Sequence, residues 1–196
     1  KFEDSMTYST RVNRTLYTNK SHDRGGYTVQ RVIVHHWAGL TGGIERLVYS
    51  DDAASANYIG LSDGSMIGSI PEERRAWTSG SYDVDAQSIT VEIQNTTTAP
   101  NWQVSEASIN ALVELIADIA RRYGWGYVDR SRVRGHREFA ATECPGPFLY
   151  GYLDGIITRV NSLLRSGSHT SAPTGPSTYA MASPVEGWVS CEWRGY

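Results

Sequence analysis

The stretch of sequence that decides the fold reads Val32-Ile33-Val34-His35-His36. Three β-branched residues in succession are typical of a strand that is buried on both faces, so we expect a central strand that ends at the two histidines. Shorter strands are predicted over residues 57–61, 65–70 and 88–94. The Asp63-Gly64 step between the first two of these favours a hairpin turn.

Apolar residues at the three-and-four spacing of a helix follow these strands. The clearest pattern runs from Glu106 to Tyr123, with Ser105 as its N-cap and Gly124 as its stop. Residues 150–164 carry a second apolar stripe, and residues 43–54 carry a weaker one. Strands interleaved with helices predict an α/β (α+β) domain, whose central mixed sheet is flanked by helices.

Composition divides the chain of 196 residues into four parts. Residues 1–27 form a polar leader, which we expect to be irregular and to pack on the surface. Residues 28–165 hold the predicted domain. Twelve of the thirteen residues in 166–178 are Ser, Thr, Gly, Pro or Ala, a composition typical of a linker. Residues 179–196 are too few to fold alone, and we interpret them as the start of a truncated second domain.

Charge and hydropathy argue against two classes of partner. The formal net charge is −3, from 18 Lys and Arg against 21 Asp and Glu, whereas affinity for nucleic acid comes from clustered basic residues. No run approaches the roughly 18 apolar residues of a membrane span, and the first residues show no apolar signal-peptide core. We therefore expect binding to neither nucleic acid nor a membrane. We also expect a monomer.

Three histidines and a cysteine lie at a predicted strand end or in a loop. His35 and His36 end the central strand, and His136 and Cys144 are eight residues apart. Imidazole nitrogens and a thiolate sulfur are ligands that Zn²⁺ prefers, and a catalytic zinc site keeps three protein ligands and a fourth position for water. A His/His/Cys zinc site is therefore one interpretation. The other is a hydrogen-bonded core histidine and a small buried cysteine, which is the commoner role of isolated residues of these types.

Four parts of the chain, taken in order, resemble one known family. They read Val32-Ile-Val-His-His-Trp-Ala38; Ser55-Ala-Asn-Tyr58 leading to Asp63-Gly64; Ser88-Ile-Thr-Val-Glu-Ile93; and Gly135-His-Arg-Glu138 followed by Thr142-Glu-Cys-Pro-Gly146. Together they resemble the zinc N-acetylmuramoyl-L-alanine amidases, a family that includes phage lysozyme-type amidases and the peptidoglycan recognition proteins. The resemblance covers about residues 28–165 and implies a mixed sheet flanked by helices.

The resemblance also implies that zinc is held by His35, His136 and Cys144. The choice of His35 over His36 follows the register of the family, in which the ligand comes directly after the apolar strand. Adjacent strand residues point to opposite faces, so only one of the pair can face the metal.

Further positions imply the reaction and the substrate groove. Glu92 stands where many phage members have their catalytic glutamate, so we expect it to shuttle a proton; the alternative is a solvent-facing or ion-paired carboxylate. Thr142 matches a position close to the transition state and is expected to help hold the oxyanion. Four more residues are expected to line the groove, since flat rings suit the apolar faces of sugars. They are Trp37, Asn57, Tyr58 and Trp77. The alternative for each is ordinary packing in the core or at its rim.

The activity that the resemblance implies is zinc-dependent hydrolysis of the amide bond between N-acetylmuramic acid and L-alanine in bacterial peptidoglycan. The protein would act at the bacterial cell wall as a phage-encoded endolysin or a secreted autolysin. One alternative is a peptidoglycan-recognition module that does not cleave, and another is a closed structural metal site in an unrelated protein. The tail from Ser183 is similar to the opening of lysostaphin-like zinc endopeptidase domains, although it lacks every metal ligand of that family.

Overall fold

A computed structural model describes residues 6–167 and the backbone of residues 179–181. A mixed sheet of seven strands forms its centre, and two short strands form a separate ribbon. In chain order the strands are β1 (Arg14–Tyr17), β2 (Ser21–Asp23), β3 (Arg31–His36), β4 (Tyr58–Gly60), β5 (Met66–Gly68), β6 (Arg74–Ala76), β7 (Ser88–Ile93), β8 (Val133–Gly135) and β9 (Tyr179–Met181).

The seven strands lie in the order β8-β3-β7-β4-β5-β1-β9. The predicted central strand β3 runs parallel to both of its neighbours, β8 and β7. The predicted hairpin is confirmed, because β4 and β5 pair antiparallel and Gly64 takes the positive φ of +88° that its turn requires. The predicted fold class, a mixed sheet with flanking helices, is confirmed.

Two long helices cover one face of the sheet. They are α2 (Glu106–Arg122) and α3 (Pro147–Ser166), and their apolar stripes share one core with alternate residues of the central strands. The N-cap predicted for α2 is present, since the Ser105 hydroxyl accepts the Ser108 N–H at 3.0 Å. The weaker helical pattern at residues 43–54 yields only a short π-helix over Glu45–Tyr49, and the other short helices are α1 (Tyr82–Ala86) and a 3₁₀ turn, His136–Glu138.

The prediction that the polar leader is irregular is wrong, because it contains two paired strands. Its strand β1 extends the main sheet, and β2 pairs antiparallel with β6. Polar side chains are buried here because they find backbone partners. The Lys20 ammonium donates to three carbonyl oxygens, and the Arg24 guanidinium donates to the carbonyls of Glu72 and of Asp85, Ala86 and Ser88. A polar composition therefore did not mean an irregular surface segment.

The carboxyl-terminal part of the chain lies mostly outside the described residues. Helix α3 continues through Ser166, and the backbone of β9 pairs parallel with β1. The remainder of the predicted linker and second domain, residues 168–178 and 182–196, is not described. Among the described residues, no helix has both the length and the apolar character needed to cross a membrane.

Candidate active site

Register between two parallel strands brings His35 and Glu92 together. The two residues are direct partners across β3 and β7, and they point away from α2 and α3, because their neighbours Val34, Val91 and Ile93 belong to the core under those helices. The Nδ1 atom of His35 lies 3.9 Å from Oε1 of Glu92, and the exposed fractions of the two side chains are 1% and 12%. An imidazole and a carboxylate thus meet at the carboxyl edge of the sheet with little access to water.

His136 reaches the same edge from β8. Gly135 pairs with Val34, so His136 emerges beside His35, and the centroids of the two imidazole rings are 4.4 Å apart. The Glu138 carboxylate accepts the Gly135 N–H at 2.9 Å and fixes the turn that carries His136. Gly135 is required, because a Cβ atom there would lie 2.7 Å from the ring of Tyr150.

Cys144 arrives on the loop that precedes α3. Its carbonyl accepts the Arg137 N–H at 2.9 Å, and its own N–H donates to the Thr142 hydroxyl at 3.2 Å. The sulfur lies 3.6 Å from Nδ1 of His35 and accepts the backbone N–H of His36 at 3.4 Å. One ligand atom from each of His35, His136 and Cys144 lies within 4.8 Å of the other two.

Burial controls the protonation of this cluster. It lowers the pKa of His35 well below its usual value, an effect that the neighbouring histidines reinforce, and it lowers the pKa of His136. Burial also raises the pKa of the Cys144 thiol, and repulsion from the Glu92 carboxylate raises it further. Burial likewise raises the pKa of Glu92 to about 7. Without a cation, the pocket therefore favours neutral imidazoles and a neutral thiol.

The donor set fits a zinc ion. Tetrahedral zinc with bonds of about 2.0–2.3 Å places its ligand atoms roughly 3.4–3.6 Å apart, which is the separation between His35 Nδ1 and Cys144 Sγ. Among the described residues, Glu92 Oε2 beside this pair is buried without a hydrogen-bond partner, and a buried polar atom without a partner calls for one. Two imidazoles and a thiol are also the ligand types that zinc prefers.

Comparison with known proteins places the chain in a family. The profile described as N-acetylmuramoyl-L-alanine amidase matches residues 25–147, which is 123 of the 196 residues. The chain belongs to the N-acetylmuramoyl-L-alanine amidase family. The enzyme class predicted from the sequence is thereby confirmed. No curated protein sequence matches the chain.

Solved structures show the same amidase fold at low sequence identity. A mutant form of PlyL is 19% identical, with a TM-score of 0.62 over 76% of this chain and 98% of that one. A selenomethionine derivative of AmpD is 18% identical, with a TM-score of 0.60 over 74% and 93%. The endolysin amidase LysCS from Clostridium intestinale is 15% identical, with a TM-score of 0.57 over 76% and 97%. At these identities the likeness concerns the fold.

The side chain of His36 lies outside the cluster of His35, His136 and Cys144, although its backbone N–H donates to the Cys144 sulfur. Its ring lies on the opposite face of β3 and meets Trp102 edge-on, with the centroids 5.3 Å apart. Gly146 allows this contact, since a Cβ atom there would lie 2.9 Å from Cβ of Trp102 and 3.1 Å from the His36 ring. Of the two adjacent histidines, His35 is the one with a ring nitrogen within reach of Cys144 Sγ and with a ring beside that of His136, at an interplanar angle of 43°.

The prediction that Asn57 and Tyr58 line a substrate groove is wrong, because neither side chain has exposed surface. The Asn57 amide donates to the carbonyls of Ile70 and Arg74 and accepts the Thr90 N–H at 3.0 Å, so it links two strands to a turn. The Tyr58 hydroxyl donates to the buried Glu72 carboxylate. Polar and aromatic side chains in this motif therefore stabilise the fold instead of facing a substrate.

The two tryptophans differ in their surroundings. Trp37 is 9% exposed; it packs in the second core with Leu47 and Ile59, and its ring covers Gly43. Trp77 is half-buried, donates its indole N–H to His22 at 2.9 Å and leads directly into the segment that contacts His136. Trp77 is the one of the four predicted groove residues that is not buried, and its position in a groove stays a prediction.

Two residues close to His136 carry no signal in the sequence. The Ser79 carbonyl lies 3.4 Å from Nε2 of His136, and the Asp85 carboxylate accepts the Ser79 N–H at 2.9 Å. Both residues belong to a polar stretch without a recognisable motif. Their proximity to His136 arises only from tertiary structure, so no pattern in the sequence could have revealed it.

Proposed function

We propose that this amidase-family chain is zinc-dependent and hydrolyses the bond between N-acetylmuramic acid and L-alanine in peptidoglycan. His35, His136 and Cys144 would hold the zinc ion. The observation that carries the proposal is the cluster of these three ligands beside the buried Glu92 carboxylate. When bound, zinc supplies Lewis-acid polarisation of the scissile carbonyl and makes water more acidic.

Glu92 is suited to move the proton that the reaction requires. In the metal-free site, burial raises the pKa of Glu92 to about 7, and a general acid/base is most effective when its pKa lies near the working pH. The carboxylate accepts a proton from the attacking water and returns it to the nitrogen of L-alanine as the C–N bond breaks. Its Oε2 atom is buried without a partner among the described residues and is therefore not committed to another hydrogen bond.

Thr142 is proposed to stabilise the oxygen on which negative charge develops. Its hydroxyl accepts the Cys144 N–H at 3.2 Å, so its own hydrogen can be donated elsewhere. A donor held on the same loop as a metal ligand is well placed for this role.

Release of L-alanine amino termini tests the reaction. Purified peptidoglycan is incubated with zinc-loaded protein, and new L-alanine amino termini and muramic acid freed of peptide are measured. We expect Glu92→Gln to reduce release by several orders of magnitude while zinc stays bound. Glu106→Gln is the matched control, because Glu106 is an exposed carboxylate at the start of α2.

Two other results would change the proposal. Wall binding and bound zinc without any release would identify a recognition module instead of an enzyme. Release that persists after removal of zinc would exclude the metal from the reaction. We further propose that the protein acts at the cell wall as a monomeric endolysin or autolysin, which sedimentation of the purified chain and lysis of intact walls would test.

A further inference from the structure

One contact joins His136 to a loop that is distant in sequence. The Nε2 atom of His136 lies 3.4 Å from the carbonyl oxygen of Ser79. A nitrogen that donates to a carbonyl carries the hydrogen of a neutral imidazole, and the other nitrogen then keeps its lone pair. This contact therefore selects the tautomer in which Nδ1 of His136 is free to bind a metal.

The loop that carries Ser79 is held by Asp85 of α1. One carboxylate oxygen accepts the Ser79 N–H at 2.9 Å and the other accepts the Thr78 N–H at 3.2 Å. Asp85 is only 2% exposed, so water cannot easily replace it at these two N–H groups. Its two hydrogen bonds orient consecutive peptide units of the segment that ends at the Ser79 carbonyl.

Asp85 is itself held firmly. The Arg24 guanidinium donates to the carbonyl oxygens of Asp85, Ala86 and Ser88 at 3.2, 2.8 and 2.9 Å. The other side of the loop is anchored by the Thr78 hydroxyl, which donates to the Ser55 carbonyl at 2.7 Å. The Ser79 carbonyl is thus fixed from two directions.

We propose that Asp85 is a positioning residue for the metal centre: by clamping the loop, it aims the Ser79 carbonyl at His136 and sets the tautomer and orientation of that ligand. The inference rests on the proposed zinc site. Metal-binding histidines commonly donate their second N–H to a carbonyl or carboxylate, and loss of that outer partner typically weakens metal binding about 10–100-fold.

The experiment measures zinc affinity in the full chain by competition with a chelator. Asp85→Asn keeps the size of the side chain but replaces one acceptor oxygen with an NH₂ group that faces a backbone N–H. Loss of a direct outer partner weakens metal binding about 10–100-fold. Since Asp85 acts through the Ser79 carbonyl, we expect zinc to bind to this variant more weakly by about 10-fold, the lower end of that range, and the visible spectrum of the cobalt-substituted protein to change. Asp83→Asn is the matched control, because Asp83 lies on the same helix, is exposed and accepts a hydrogen bond from the Tyr27 hydroxyl instead.

A double-mutant cycle separates positioning from a general loss of stability. In a His136→Ala background, Asp85→Asn should weaken zinc binding no further, because the ligand through which it acts is gone. Thermal unfolding of the metal-free variants reports the structural contribution separately.

Each outcome decides one point. Unchanged zinc affinity and cobalt spectrum in Asp85→Asn would overturn the inference, even if the protein were less stable. An equal loss with and without His136 would also overturn it, since the effect would not pass through that ligand. Failure of the unmutated chain to bind zinc would instead overturn the proposed function on which the inference rests.

Discussion

Tyr58→Phe distinguishes a core role from a groove role for this residue. The substitution removes only the hydroxyl, which donates to the Glu72 carboxylate and accepts the Ser9 N–H at 2.7 Å. The Glu72 carboxylate keeps Arg122, which donates twice at 2.7 Å, and the Tyr123 hydroxyl at 3.0 Å. The buried Ser9 N–H, in contrast, loses the acceptor that it has in the folded chain.

The expected loss of stability follows from these two changes. A buried donor without a partner costs about 1–3 kcal/mol, and a hydrogen bond to a charged group contributes about 1.5–3 kcal/mol. Because Glu72 retains three other hydrogen bonds, we expect a combined loss of about 2–4 kcal/mol. For a domain of this size that corresponds to a fall in Tm of roughly 4–16 °C.

The assay combines thermal unfolding with amidase kinetics at a temperature where both proteins are folded. We expect a lower Tm, with kcat and KM close to those of the unmutated chain. Tyr123→Phe is the matched control: it removes one hydrogen bond to Glu72 and leaves the Ser9 N–H with its acceptor, so its effect should be smaller. A raised KM at unchanged Tm would refute the reasoning and return Tyr58 to the substrate groove.

Three further predictions concern the surroundings of the cluster. Gly43→Ala should lower the Tm and displace Trp37, because a Cβ atom at this position would lie 1.7 Å from the indole ring; an unchanged Tm and indole fluorescence would contradict this. Thr142→Val should reduce kcat about 100–1000-fold, as loss of an oxyanion donor does, while Thr142→Ser retains activity and both variants keep zinc. In the metal-free protein, burial lowers the pKa of His36 to about 4. As the pH falls below about 6.5, the His36 ring is therefore protonated in the unfolded chain before it is protonated in the folded chain, and this favours unfolding. Chemical denaturation should therefore show stability falling between about pH 6.5 and 4, by up to about 1.4 kcal/mol per pH unit from this group, and His36→Asn should reduce the slope.

Elements with a strong periodic pattern or a recognisable turn could be predicted, as the three-residue strands β4 and β5 were from the Asp63-Gly64 step, whereas short elements without such a signal could not. The β-branched run of β3 and the stripe of α2 carry enough residues to show their period. Strands β2, β6 and β8 have three residues each, which is too few for alternation to be recognised. The buried polar groups of the leader posed a further problem, because only tertiary structure supplies the carbonyl oxygens that make burial of Lys20 and Arg24 favourable.

The error at Tyr58 has a specific cause in the sheet register. Tyr58 is the partner of Val91, and Ile59 is the partner of Glu92. Since side chains alternate across a strand, Ile59 shares the face of Glu92, and Tyr58 shares the helix-covered face with Val91. The residue type of Tyr58 and its position in a motif suggested a place in the groove. The face of the sheet on which Tyr58 lies is instead set by the register between β4 and β7, which the sequence alone does not specify.

Parallel pairing explains why residues far apart in sequence form one site. Strands β8, β3 and β7 are neighbours and run in the same direction, so their carboxyl ends lie at a single edge, the position where open sheets with parallel strands commonly bind ligands. His35 and Glu92 are each the second-last residue of a strand, and His136 directly follows one. A shift of one residue in the register of β3 would exchange His35 for His36 at that edge. The apolar residues that fix this register, Val32 and Val34, therefore also determine which histidine faces Cys144, and in this chain the core and the candidate metal centre depend on the same strand alignment.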